Sequence, residues 1–157
     1  MSIKIKDFTQ EKEQMTKEVT VFDERIQALV DRLLQTLHNT ESVGLSAPQI
    51  GENDRIAVLD FRDDRDPLVL INPVLVRYYG SETEMEGCLS YPNVYGTVTR
   101  PEAIIVEAQE ADGSVFEITA EGIEARAILH EMDHLVGASF IDKIEERIDP
   151  EHFYEEE

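Results

Sequence analysis

The chain has 157 residues, 41% of them hydrophobic, which suits one domain with its own core and is short for two. Its net charge of −20, from 34 acidic against 14 basic residues, argues against direct nucleic-acid binding and against attraction to an anionic membrane. No apolar run approaches the ~20 residues that span a bilayer, the start lacks the apolar stretch of a secretory signal, and the single cysteine, Cys88, rules out an internal disulfide; a cytoplasmic location is expected.

Residues 1–17 are polar and poorly patterned, so a loosely structured start with at most a short strand is expected. From Asp23 the pattern changes. Ile26, Leu29, Val30, Leu33, Leu34 and Leu37 recur at helical spacing, which predicts an amphipathic helix with Asp23 as its N-cap and an end near His38–Asn39. In "VGLSAPQIG" (43–51), Gly44, Pro48 and Gly51 predict a shaped loop rather than a regular element. The runs 55–61, 68–79 and 103–110 are β-rich, and Asp112-Gly113 signals a hairpin turn into 114–119. A second helix is expected from about Glu121 to Val136. It is apolar on most sides, Ile123 and Ala127 included, and therefore expected to be buried, with Gly137 as its capping glycine. Residues 145–157 read as an acidic tail.

Within the second helix, "LHEMDHLVG" (129–137) places His130 and His134 one turn apart, rotated by only about 40° on a helix. Both imidazoles can reach one ion, while Glu131 is turned away and free to act as a base. This is the H-E-x-x-H arrangement of metal-assisted hydrolysis. Two histidines and a glutamate capping a buried helix without a partner would be expensive to bury. Such a site needs a third ligand. The acids downstream of His134 lie in the expected tail, so Cys88 in "EGCLSYP" is the remaining candidate. Composition alone favours an inert buried thiol there. The expected fold is α+β, with short, mostly antiparallel sheets around a central metal-binding helix and one domain over 1–157.

Three blocks in this order, "GLSAPQ" (44–49), "EGCLS" (86–90) and "HEMDH" (130–134), resemble the signature motifs of the peptide deformylase family. The likeness runs from about Glu18 to Lys143, roughly four-fifths of the chain, through phrases such as "LINPVL" and "GTVTRPEAIIVEA". The resemblance implies removal of the formyl group from N-formylmethionine at the start of new polypeptides, with release of formate. It implies one divalent ion on Cys88, His130 and His134, ferrous iron in the cell, with zinc, nickel or cobalt able to occupy the same ligands. A water on that ion attacks the formyl carbon, and Glu131 serves as general base and then acid. The Gln49 side chain and the Leu89 backbone N–H would donate to the oxyanion. Glu86 would pair with Arg100 and steady the cysteine-bearing turn; an ordinary ion pair is the bland alternative. Gly44 and Gly87 would let a peptide lie close, and Val43, Ile123 and Ala127 would line the methionine pocket. Ordinary core packing accounts equally well for Ile123 and Ala127.

Several positions depart from the family. Leu129 stands where many members carry glutamine, and Ser46 where alanine is common. "IKDFTQEKEQMTK" replaces a proline-containing opening phrase, a change expected to touch no catalytic residue. The acidic end "EHFYEEE" should not bind ribosomal RNA, so weak or differently mediated ribosome contact is expected. Two rival readings exist. In a Cys–His amidase, Cys88 is the nucleophile, which leaves His134 unexplained and predicts indifference to chelators. A non-catalytic binder has no need of Gln49 and Glu131.

Overall fold

The first helix, α1 (Glu24–His38), starts where the Asp23 side chain accepts from the Arg25 and Ile26 backbone N–H groups. Its buried face is Ile26, Leu29, Val30, Leu33 and Leu37, the stripe expected from the spacing. The structure is a computed structural model that describes residues 4–151. Among these residues one antiparallel sheet takes the order β1 (Gly44–Ser46), β2 (Ile56–Leu59), β3 (Leu68–Tyr79), β6 (Ala103–Gln109), β7 (Val115–Glu121). A smaller sheet takes the order β4 (Glu82–Cys88), β5 (Tyr91–Arg100), β8 (Glu146–Ile148). The protein is thus α+β with short antiparallel sheets. The hairpin expected at Asp112-Gly113 joins β6 to β7, with Gln109 opposite Val115.

The second helix, α2 (Gly122–Leu135), packs against β1, β2 and β7. One apolar cluster joins α1 to β1, β2 and β3, and a second joins α2 to β3, β6 and β7. Leu129 belongs to that second cluster, beside Ile128 and Ala125. An apolar residue therefore suits the position where many family members carry glutamine. Gly137 follows α2 with φ +75°, a conformation that favours glycine.

Four expectations need correction. Residues 43–51 are not simply a loop: Gly44–Ser46 pair with β2, and a 3-10 turn follows over Ala47–Ile50. Three residues carry no readable alternation, so the strand was hidden by the flanking Pro48 and Gly51. Ile123 is not buried but 79% exposed: it lies in the first turn of α2, outside the apolar cluster that α2 forms with β3, β6 and β7. In the expected tail, Glu146–Ile148 form β8 against β5, and Glu145 N–H donates to Thr97 O at 2.8 Å; residues 152–157 lie outside the described residues. From Lys6 onward the start is anchored rather than loose, and residues 1–3 lie outside the described residues: Lys6 N–H donates to Gln49 O at 2.7 Å, Phe8 N–H to Ser90 O at 2.8 Å, and Thr16 N–H to Leu135 O at 3.1 Å.

Candidate active site

Helix α2 delivers His130 and His134 from consecutive turns, and the end of β4 delivers Cys88. Their ligand atoms all lie within 4.8 Å of one another. His134 is fully buried, and its Nε2 stands 3.4 Å from Cys88 Sγ. Burial pushes the Cys88 thiol up, but the two imidazoles beside it outweigh that and hold it at about 7, below an ordinary thiol.

Glu131 comes from the same helix, between the two histidines. Burial pushes its carboxyl above the ordinary range. Its Oε1 is buried with no hydrogen-bond partner among the described residues. Strand β1 passes so close that a Cβ on Gly44 would lie 2.7 Å from Glu131 Oε2 and 2.9 Å from its Cγ. Gly44 thus makes room for the carboxylate, a role that the idea of close peptide approach did not anticipate.

Gln49 is buried at the 3-10 turn. Its Oε1 accepts from Ser46 N–H and from Ser46 Oγ, each at 2.9 Å. Its Nε2 donates to Ser90 Oγ at 3.1 Å and faces Cys88 Sγ at 3.8 Å. Ser46, which stands where alanine is common in the family, therefore adds a second clamp on the Gln49 amide. Leu89 follows Cys88 on the exposed turn between β4 and β5.

Glu86 is the hub behind the cysteine. Arg100 donates to it twice, Nε to Oε2 at 2.5 Å and Nη2 to Oε1 at 2.9 Å. Arg126 Nη1 reaches Oε2 at 2.7 Å, and His130 Nδ1 lies 3.1 Å from Oε1. Burial pushes Glu86 up, yet Arg100 and then His130 outweigh it and hold the carboxyl down at about 2. Arg100 also donates to Asp133 Oδ2 at 3.0 Å. Glu86, Arg100, Arg126 and Asp133 are buried, unlike an ordinary surface pair.

Two residues of this network escaped the sequence reading. Arg126 also donates to Val98 O at 2.8 Å and Glu82 O at 2.7 Å. A cation one turn before His130 on a mostly apolar helix was the available signal. Glu13 is the other: its Oε1 lies 2.6 Å from His134 Nδ1, and its Oε2 accepts from the Tyr91 hydroxyl. The expectation that the unusual start touches no catalytic candidate is overturned here, because the segment runs across the end of α2.

Cys88, His130 and Glu131 open onto a cleft of about 600 Å³. Val43, Gly44, Gly87, Leu89, Ile123 and Ala127 all line it, as do Gln49 and Glu86. The residues fit a divalent ion on two grounds. A soft thiol and two imidazoles converge, and each imidazole has its Nδ1 engaged by a carboxylate, which turns Nε2 to the other side of the ring, where that of His134 meets Cys88 Sγ.

A thiol, two imidazoles and a buried, unpartnered carboxylate at the floor of a cleft, on an α+β scaffold, form the arrangement of a metal-dependent hydrolase. The chain belongs to the polypeptide deformylase family, whose profile matches residues 6–149. It is 47% identical over 126 residues to peptide deformylase 1 of Bacillus subtilis, covering 80% of this chain and 79% of that protein. Its fold is similar to a peptide deformylase from Legionella pneumophila, with a TM-score of 0.87, 38% identity, and coverage of 92% of this chain and 86% of that one. A Thermotoga maritima peptide deformylase aligns with a TM-score of 0.85 at 34% identity over 92% of this chain and 98% of that one. No helix among the described residues is long and apolar enough to cross a membrane.

Proposed function

We propose that the protein hydrolyses the formyl amide of N-formylmethionyl peptides, giving formate and a free amino terminus. The observation that carries this reading is the convergence of Cys88, His130 and His134 beside the buried, unpartnered Glu131. Family membership supports it. A divalent ion on those three residues, iron(II) in the cell, supplies Lewis acidity that lowers the pKa of water towards neutrality.

The chain's own residues do the rest. Glu131 takes a proton from the attacking water and returns it to the departing amine as the carbon–nitrogen bond breaks. Its burial and raised proton affinity suit both transfers. Gln49 Nε2, with its amide held by Ser46, donates to the formyl oxygen as that oxygen gains charge, and the Leu89 N–H joins it. Glu86, fixed by Arg100 and Arg126, engages His130 Nδ1, so that the Nε2 of that ring would hold the ion. Val43, Ile123 and Ala127 receive the methionine side chain, and the exposure of Ile123 at the cleft mouth supports a ligand-facing role. Gly87 lines the cleft, but a Cβ there would lie 2.6 Å from the Tyr95 ring, so the glycine lets the cysteine-bearing turn close against β5 rather than clearing a path for the peptide. The protein works on nascent chains in the cytoplasm, with weak or indirect ribosome contact and no nucleic-acid binding of its own.

The test is formate release from a formyl-Met peptide by anaerobically metallated protein, with metal content measured alongside. A chelator should abolish turnover and added metal restore it. Glu131→Ala should keep its metal and lose about 10²–10⁴-fold in kcat. A Glu131→Ala protein as fast as the parent would refute the reading.

A further inference from the structure

The two histidines are held in matching ways by carboxylates of different origin. His130 Nδ1 faces Glu86, which stands two residues before Cys88. His134 Nδ1 faces Glu13 at 2.6 Å across a separation of 121 residues. The electrostatic settings of the two carboxylates differ. Glu86 has two guanidinium partners, Arg100 and Arg126. Asp133, another buried acid nearby, has Arg100 and Lys143, while Glu131, between the two histidines, has no hydrogen-bond partner for its Oε1 among the described residues. Glu13 has neither lysine nor arginine among its partners in the described residues; it has the Tyr91 hydroxyl and the His134 ring. A carboxylate only 7% exposed with no cation partner is costly unless a positive charge lies close. Two places lie in line for one: the His134 ring itself, 2.6 Å away, and an ion on the far side of that ring, where Nε2 faces Cys88.

The segment that carries Glu13 is anchored to each of the three motif regions. Lys6 N–H donates to Gln49 O, Phe8 N–H to Ser90 O, and Thr16 N–H to Leu135 O. Thr16 Oγ1 donates to Leu135 O as well, at 2.6 Å. Phe8 sits 6.0 Å from both the His134 and the Tyr91 rings, centroid to centroid, walling off this side of the cluster. A Cβ on Gly137 would lie 2.9 Å from Met15 N, so the segment crosses the end of α2 at contact distance.

We infer that Glu13 is a positioning residue for His134, and that residues 6–16 are a working part of the metal centre rather than an incidental covering. Glu13 accepts a hydrogen bond from Nδ1–H, fixes the tautomer so that Nε2 would be available to the ion, and would make the ring a stronger ligand. It also balances charge: with the Cys88 thiolate it offsets the two positive charges of a divalent ion, while Glu86 is already offset by its arginines. By linkage, ion binding and docking of this segment stabilise each other by the same factor.

The inference rests on the reading of Cys88, His130 and His134 as ligands, and cobalt(II) is the probe. Its dissociation constant is measured by chelator competition for the parent, Glu13→Gln and Glu13→Ala, and the visible ligand-field spectrum is recorded at saturation. Glu13→Ala should bind cobalt about 10–100-fold more weakly with a shifted spectrum. Glu13→Gln, which keeps an acceptor and the shape but loses the charge, should fall between. Thermal midpoints of the chelator-treated proteins separate a general packing defect from a centre-specific one. Parent-like affinity and spectrum in both variants would overturn the inference. So would an affinity loss mirrored by an equal destabilisation of the metal-free variants, with a parent-like spectrum at saturation. A parent that takes up no cobalt overturns the ligand assignment itself, and this inference with it.

Discussion

Gly44→Ala isolates the placement of Glu131 from everything else in the site. The added methyl would sit 2.7 Å from Glu131 Oε2 and 2.9 Å from Cγ, well inside contact distance. Gly44 lies in a strand paired to Leu59, so alanine suits the backbone, and the loss of unfolded-state freedom favours folding by about 0.4–1 kcal/mol. The strain falls on the glutamate. Relief requires Glu131 to swing by the better part of an ångström, and misplacement on that scale costs about 10²-fold in rate, or about 2.7 kcal/mol of barrier. The variant should therefore fold, bind its ion with parent-like affinity, and release formate about 100-fold more slowly. Combining it with Glu131→Ala should add little, because both act on one group. The assay is formate release under anaerobic conditions with metal content and thermal midpoint measured on the same samples. Activity within threefold of the parent would refute the argument, as would an equal loss in a Glu131→Ala background.

Arg126→Met should destabilise the protein by about 3–5 kcal/mol in urea unfolding, since it leaves a buried Glu86 with one guanidinium fewer; a loss below 1 kcal/mol would contradict the hub role. Glu86 sits at about 2 in the folded state against an ordinary 4.5, so its stabilisation is complete above pH 4.5 and is lost as pH falls towards 2. Between those limits the chelator-treated parent should lose up to about 1.4 kcal/mol per pH unit more than Glu86→Gln; parallel stability curves would count against it. Ile123→Ser, at a side chain 79% exposed, should leave the thermal midpoint nearly unchanged. It should lower kcat/KM on formyl-Met peptides by about tenfold, through lost apolar contact with the methionine.

The elements written in local patterns were the legible ones. Asp23 and the Ile26–Leu37 stripe set α1, and Gly137 closed α2. The three motifs drew attention to Cys88, Gln49 and the H-E-x-x-H helix because each is contiguous. What stayed hidden was long-range or irregular. The β4–β5 hairpin was missed because Gly87, Pro92 and Gly96 interrupt any alternation. Arg126 was passed over because helical spacing says nothing about a cation whose partners are Glu86, Val98 O and Glu82 O on the other sheet. Glu13 sits in a polar stretch with no period, and only its contact with His134 distinguishes it from its acidic neighbours.

The bond between Glu13 and His134 also has a consequence for how the chain acquires its shape. It joins the segment that precedes α1 to the end of α2, over 121 residues. Closing so long a loop carries an entropic cost that grows with its length, and such contacts form late and slowly. α1 and the β1–β2 pair can consolidate as soon as they emerge, since their partners are close in sequence. The initial segment must wait for α2. Order at residues 6–16 should therefore be among the final events of folding, and it arrives together with the ability to hold an ion.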